Sequence, residues 1–171
     1  IQAEYPGVSG LSDMPVFALD WQTRKELQHF SYYGMGPEEN YCDRAEGARL
    51  GKFDSKVWDN FSEYLNPQEC GNRIGVRYAE LRDEEGRGIR LSCEREPFEM
   101  SILPYSATDL EHANCREELG PQIHTWVRVA AAQMGVGGDD SWGAPVHDEY
   151  RLPAEQPRTI AFVIKDLQQA E

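Results

Sequence analysis

No stretch of this sequence is apolar for long enough to span a bilayer, and none reads as a signal peptide. Clusters of lysine and arginine are missing as well. The 17 basic residues face 30 acidic ones, for a formal net charge of −13. Phosphate binding needs basic clusters, so neither nucleic acid nor membrane is expected as a partner. Cys42, Cys70, Cys93 and Cys115 form no Cys-x-x-Cys pair, which argues against a zinc cluster. In a domain of this size, buried free thiols are expected of them rather than disulfides. His29, His112, His124 and His147 show no i, i+4 metal spacing, and no Ser-His-Asp pattern is present. Gly135-Val-Gly137-Gly138 is not followed by the Lys-Ser/Thr of a phosphate loop. There is no internal repeat. Ile1 rather than methionine opens the chain, so a processed piece or a recombinant fragment is expected.

What is present suits one globular domain over residues 1–171, long enough to bury a core. Apolar residues make up 40% and charged residues 27%, which excludes a disordered chain. Residues 1–14 read as a loose lead-in. Met14–Gln22 and Leu27–Tyr33 are β-rich runs that predict a hairpin across Thr23-Arg-Lys-Glu26, with Phe17, Leu19 and Trp21 on the apolar face. Val57, Trp58, Phe61, Tyr64 and Leu65 fit a short helix in an otherwise aperiodic stretch, 45–73. Ile74, Val76 and Tyr78 alternate before a phase shift that suggests a bulge. The chain then turns at Asp83–Gly88 into Ile89, Leu91 and Cys93, the clearest hairpin in the sequence. Phe98, Met100 and Ile102 predict another strand. Thr108-Asp-Leu-Glu111 reads as a capping box opening a helix to about Leu119. Two further strands are expected, one carrying Ile123, Thr125, Val127 and Val129 on a single face, the other around 160–164 and buried on both sides. The whole reads as an all-β antiparallel sandwich with one short helix.

Chemistry concentrates in Met134-Gly-Val-Gly-Gly-Asp-Asp-Ser-Trp-Gly-Ala-Pro145. Gly135, Gly137 and Gly138 would permit positive φ and close backbone approach. Asp139 and Asp140 would bond the turn's own amides or aim carboxylates outward. Neighbours in an extended chain point apart, so the pair is expected to shape the loop together with Gly137, Gly138 and Ser141 rather than to share a bond to be cleaved. Trp142 either plugs the end of the sandwich or is presented as a flat ring. His124, just before the preceding strand, is a candidate to orient this loop. In a second polar block, Glu38 and Glu39 beside Asn40, Asp43 and Arg44 read as a hydrogen-bonded corner.

Met134-Gly-Val-Gly-Gly-Asp-Asp-Ser-Trp142 resembles the C-terminal active-site loop of the β-galactosidases of glycoside hydrolase family 2. Gly36-Pro-Glu-Glu-Asn-Tyr-Cys-Asp-Arg44 is similar to that family's G-P-x-E-N-Y-x-D-R segment, with Cys42 where the best-known members have proline. Asn72-Arg-Ile-Gly-Val-Arg77, Pro97-Phe-Glu-Met-Ser101 and His124-Thr-Trp126 also fit, so the similarity runs over most of the chain. The resemblance implies a galactose mutarotase-like supersandwich, of which residues 1–171 would be a part. It implies that Trp142 lines the mouth of an active site and stacks on sugar, so that the site residue expected to touch substrate is Trp142. No catalytic residue and no metal ligand is expected in this chain. The acid and nucleophile glutamates would lie in a separate barrel domain, as would most ligands of the magnesium and sodium that family members bind. The whole enzyme would hydrolyse terminal β-D-galactosides, lactose included, with retention. The expected partners are the remainder of the β-galactosidase chain or a large subunit, the galactoside substrate and further copies in a homo-oligomer; the expected compartment is the cytoplasm, with the periplasm or secretion as alternatives. Rival expectations are a stand-alone mutarotase-like epimerase, whose catalytic segments have no match here, and a non-catalytic carbohydrate-binding module.

Overall fold

The computed structural model describes residues 1–140 and 142–168. Ten strands are laid down in chain order: β1 (Gln2–Tyr5), β2 (Val16–Arg24), β3 (His29–Gly36), β4 (Arg49–Lys56), β5 (Arg73–Val76), β6 (Tyr78–Arg82), β7 (Gly88–Cys93), β8 (Phe98–Leu103), β9 (His124–Gln133) and β10 (Arg158–Leu167). They form two antiparallel sheets, one of six strands in the order β1-β10-β7-β6-β3-β4 and one of four in the order β2-β9-β8-β5. The all-β sandwich expected from the alternating runs is therefore the observed architecture.

The core lies between the sheets. Phe30 and Tyr32 of β3, Ala79 and Leu81 of β6, Leu91 of β7, and Ile160 and Phe162 of β10 meet Phe98, Met100 and Ile102 of β8 and Val127 and Val129 of β9. Phe17, Leu19 and Trp21 of β2 pack against this cluster, on the face their alternation assigned them. The Trp21 and Phe162 rings stack at 6.0 Å. A smaller cluster joins Phe61, Cys70 and Leu103 to Leu110 of the only α-helix among the described residues, α1 (Ala107–His112).

Several local expectations are corrected. β2 and β3 are not a hairpin, because β2 pairs with β9 while β3 pairs with β4 and β6. Each run has an apolar face that must look into the same core, and facing each other across it satisfies both. Similarly, β5 and β6 belong to different sheets, so the phase shift near Tyr78 marks a crossing rather than a bulge. The hairpin through Asp83–Gly88 is present as β6–β7. β4 went unread because it is an edge strand with charged residues at Arg49, Lys52, Asp54 and Lys56, the usual protection of an exposed edge. β1 is another edge, paired only with β10.

Residues 57–65 make no α-helix. The buried Asn60 amide donates to Gly71 O at 3.1 Å and Ile102 O at 2.9 Å, tying an irregular segment to β8. α1 is capped two residues earlier than expected, by Ser106 and Asp109 in a reciprocal box, and ends at Ala113. β10 is buried on one face only: Phe162 is fully buried while Val163 is 36% exposed. The four cysteines are free thiols, of which only Cys70 is buried. No helix among the described residues is long and apolar enough to cross a membrane.

Because Phe162 carries both the Trp21 stack and the contact with Phe98 at 6.2 Å, Phe162→Ala is expected to destabilise the fold by about 3–5 kcal/mol. Val163→Ala, one residue along and facing outward, is expected to cost about 1 kcal/mol or less. Urea denaturation of the two variants checks the assignment of faces.

Candidate functional site

Just beyond the end of β3 at Gly36, Asn40 turns inward. Its side chain donates to Met35 O at 3.1 Å and Glu38 O at 2.8 Å and accepts from the Ile74 amide at 2.8 Å. Its backbone N–H donates to Asn72 O at 2.9 Å, and its carbonyl accepts from Asn72 Nδ2 at 3.1 Å. A buried polar residue must find such partners, and this one ties the end of β3 to the start of β5. Asn72 Nδ2 also donates to Glu99 at 2.8 Å, and the other oxygen of Glu99 accepts from the Gln133 amide at 3.3 Å. Burial pushes the Glu99 carboxyl above its usual range.

Glu39 gathers four donors: Arg44, Tyr64, Ser62 at 3.1 Å and the Gly71 amide at 2.6 Å. Burial alone would raise its pKa, but the hydrogen bonds from Tyr64 and Gly71 and the charge of Arg44 outweigh it and hold the carboxyl below the usual 4.5. The Arg44 guanidinium also lies 5.2 Å from the Tyr41 ring centre. Glu39, Asn40 and Arg44 thus form one corner, while Asp43 points elsewhere.

Asp43 joins the corner to the glycine-rich segment that follows β9. Its Oδ2 accepts the Gly137 amide at 2.7 Å across 94 residues of sequence. None of Gly135, Gly137 and Gly138 takes a positive φ; among the glycines of this loop only Gly143 does, at 102°. The need for glycine is closeness instead. A Cβ on Gly135 would lie 2.7 Å from Asp43 Oδ2, and one on Gly138 2.2 Å from the Ala144 carbonyl oxygen. Met134 N donates to Pro15 O at 2.9 Å and Gly135 N to Tyr150 O at 2.9 Å, anchoring both sides of the loop.

Asp140 Oδ1 accepts from the Trp142 amide at 2.8 Å and the Ala144 amide at 3.2 Å, closing the tip. Asp139 instead accepts from His147 Nε2 at 2.8 Å. Trp142 is 92% exposed, so it does not plug the sandwich. Ser141 lies outside the described residues.

The two acidic neighbours therefore face different partners, and neither is left to act with the other. His124 starts β9 and so stands a whole strand, roughly 30 Å, from the loop at its far end, which removes it as an orienting group. His147 was passed over for want of a spacing rule. The signal available was its position eight residues beyond Asp139, inside the same loop rich in glycine and proline. The hydrogen bond and charge of Asp139 raise the His147 pKa above its usual 6.5. Asp43, Gly137, Gly138, Asp139, His147 and Tyr150 line a shallow hollow beneath the tip. Among the described residues no three His, Cys, Asp or Glu side chains gather as a metal-binding group.

Comparison with known proteins matches residues 1–164 to the family described as beta galactosidase small chain. The chain is 50% identical over 159 residues to a beta-galactosidase of Halalkalibacterium halodurans, covering 92% of this chain and 16% of that protein. It is 41% identical over 167 residues to a beta-galactosidase of Streptococcus thermophilus, covering 98% and 16%. It is 31% identical over 174 residues to a beta-galactosidase small subunit of Latilactobacillus sakei, covering 96% and 54%. The chain thus spans about one sixth of the length of the first relatives and about half of the small subunit.

Two titrations follow from the geometry. The charged His147–Asp139 pair is present below the raised His147 pKa and is lost as pH rises through it. Asp139→Asn is expected to bring the His147 value back toward 6.5, as read from its imidazole proton shifts by NMR. Glu39 has the opposite sign: its stabilisation is complete above the usual 4.5 and fades as pH falls through its lowered value. Glu39→Ala leaves the donors around it unsatisfied and is expected to cost about 3 kcal/mol at neutral pH by urea denaturation.

Proposed function

This chain belongs to the beta galactosidase small chain family, and from that premise we propose that it is a C-terminal portion of a β-galactosidase that offers Trp142 to the sugar. The observation that carries this reading is an indole 92% exposed at a tip whose backbone is closed by Asp140. A large aromatic ring held out from a braced loop suits a pyranose, whose C–H face covers the indole while its hydroxyls stay wet. Such burial contributes roughly 1.5–3 kcal/mol.

Retaining hydrolysis of a β-D-galactoside needs two carboxyls about 5–5.5 Å apart across the bond. The acids nearest Trp142 are already engaged, Asp140 by amides and Asp139 by His147. In line with the family resemblance, we assign the acid and nucleophile glutamates to the remainder of the enzyme, in the same chain or a large subunit, and a silent role to the isolated chain. That assignment agrees with relatives about six times as long.

Residues 1–171 are read as part of a larger sandwich. β2 and β1 each have a free edge, and Ile123, Leu11 and Leu65 stand exposed; the rest of the protein, or a second copy in a homo-oligomer, would cover such surface.

In the complete enzyme, Trp142→Ala is expected to raise KM for a chromogenic galactoside roughly 10- to 100-fold with a smaller loss in kcat. The isolated chain is expected to give no turnover and, by calorimetry, very weak galactoside binding. Turnover by the chain alone would overturn the assignment of the carboxyls. Tight binding by the chain alone would favour a self-sufficient carbohydrate-binding module.

A further inference from the structure

The stacking reading leaves open what decides where the indole stands. Its side chain touches open solvent, so its position is inherited from the backbone beneath it. That backbone can be followed inward. The Trp142 and Ala144 amides are held by Asp140, and the Ala144 carbonyl lies against Gly138 so closely that a Cβ there would come within 2.2 Å. Gly137, the preceding residue, donates its amide to Asp43 at 2.7 Å. Asp43 belongs to the connection between β3 and β4, outside the loop. Its neighbour Cys42 touches the strand that leads into the loop, with Sγ 3.5 Å from Gln133 O at the end of β9.

Two further observations single out the Asp43 carboxylate. The loop passes directly over it, since a Cβ on Gly135 would lie 2.7 Å from Oδ2. Its second oxygen, Oδ1, is buried and has no hydrogen-bond partner among the described residues. A carboxylate serving only its own corner would be expected to use both oxygens, as Glu39 does with four donors. Asp43 instead makes one hydrogen bond through Oδ2 while Oδ1 stays buried, and that bond is made to the loop carrying Trp142.

We propose that Asp43 is the positioning residue of the Trp142 loop: by holding the Gly137 amide, its carboxylate sets the stance of the indole and so the affinity for the pyranose that rests on it. The inference depends on the stacking role of Trp142. It adds a residue that never meets the sugar and acts only through the backbone between Gly137 and Trp142. The bond is a short, charge-assisted one at the wall of the shallow hollow, the kind of contact that can fix the position of a loop.

The test uses the complete enzyme with five variants: Asp43→Ala, Asp43→Asn, Gly135→Ala, Trp142→Ala and the Asp43→Ala/Trp142→Ala double variant. KM and kcat for a chromogenic galactoside are read beside the melting temperature. Asp43→Ala is expected to raise KM about tenfold with a smaller change in kcat. Asp43→Asn should recover most of that loss, because its amide oxygen still accepts from Gly137. Gly135→Ala leaves the carboxylate intact but presses on it, and should reproduce the rise in KM; it keeps the test decisive if Asp43→Ala fails to fold. The double variant should be no worse than Trp142→Ala alone, as coupling through one ring demands. If Trp142→Ala weakens binding while the Asp43 and Gly135 changes do nothing, or add to it in full, this inference fails and the stacking reading stands. If Trp142→Ala leaves KM unchanged, both fail together.

Discussion

A single buried amide holds the working end of this molecule together. The Asn40 side chain bonds Met35 and Glu38 behind it and Ile74 beside it, and its backbone bonds Asn72, so that the end of the six-stranded sheet and the edge strand of the four-stranded sheet meet at one residue. Two lines of contact lead on from that meeting. Asn72 passes the connection to Glu99 and, through it, to Gln133 at the end of β9. The turn beyond Asn40 sets Asp43 beneath the loop that β9 leads into. A buried asparagine whose amide oxygen and nitrogen are both hydrogen-bonded is costly to misplace, which is why it can act as a fixed point for two segments distant in sequence.

Around that point the acidic residues divide into roles by what donates to them. Glu39 is saturated by four donors and serves the corner. Asp140 serves the tip by taking two amides. Asp139 faces His147 on the exposed side, in a pair too wet to add much stability. With the loop's amides met by carboxylates, the tryptophan is free of any bracing duty, and its exposure fits the sugar-facing role proposed for it. Its neighbours being so occupied also fits a chain that positions substrate while bond cleavage belongs to the rest of the enzyme.

The edges of the fold point the same way. Charged residues protect β4, while among the described residues β1 and β2 are also sheet edges and apolar side chains stand exposed elsewhere on the surface. Such edges suit the proposal that the sandwich continues into, or is covered by, further polypeptide.

Strand existence was readable in the sequence wherever a run alternates with one face apolar, as in Phe98–Ile102 or Phe17–Trp21, because period two is a local property of an extended chain buried on one side. The two long motifs were readable for the same reason, since they are contiguous and specific, and they led to the family. Strand partners were not readable: β2 and β3 look like a hairpin because a short polar connection is the same whether the chain turns back in one sheet or crosses to the other. β4 and β1 were missed because edge strands carry weak patterns. The reason for glycine at 135 and 138 was also invisible, for it lies in Asp43 and Ala144 passing close by rather than in φ. Periodicity and composition thus determined the class of fold and the segments that matter. Only the tertiary structure decided that Asp43 meets Gly137 and His147 meets Asp139, because such contacts depend on where a folded chain returns to itself.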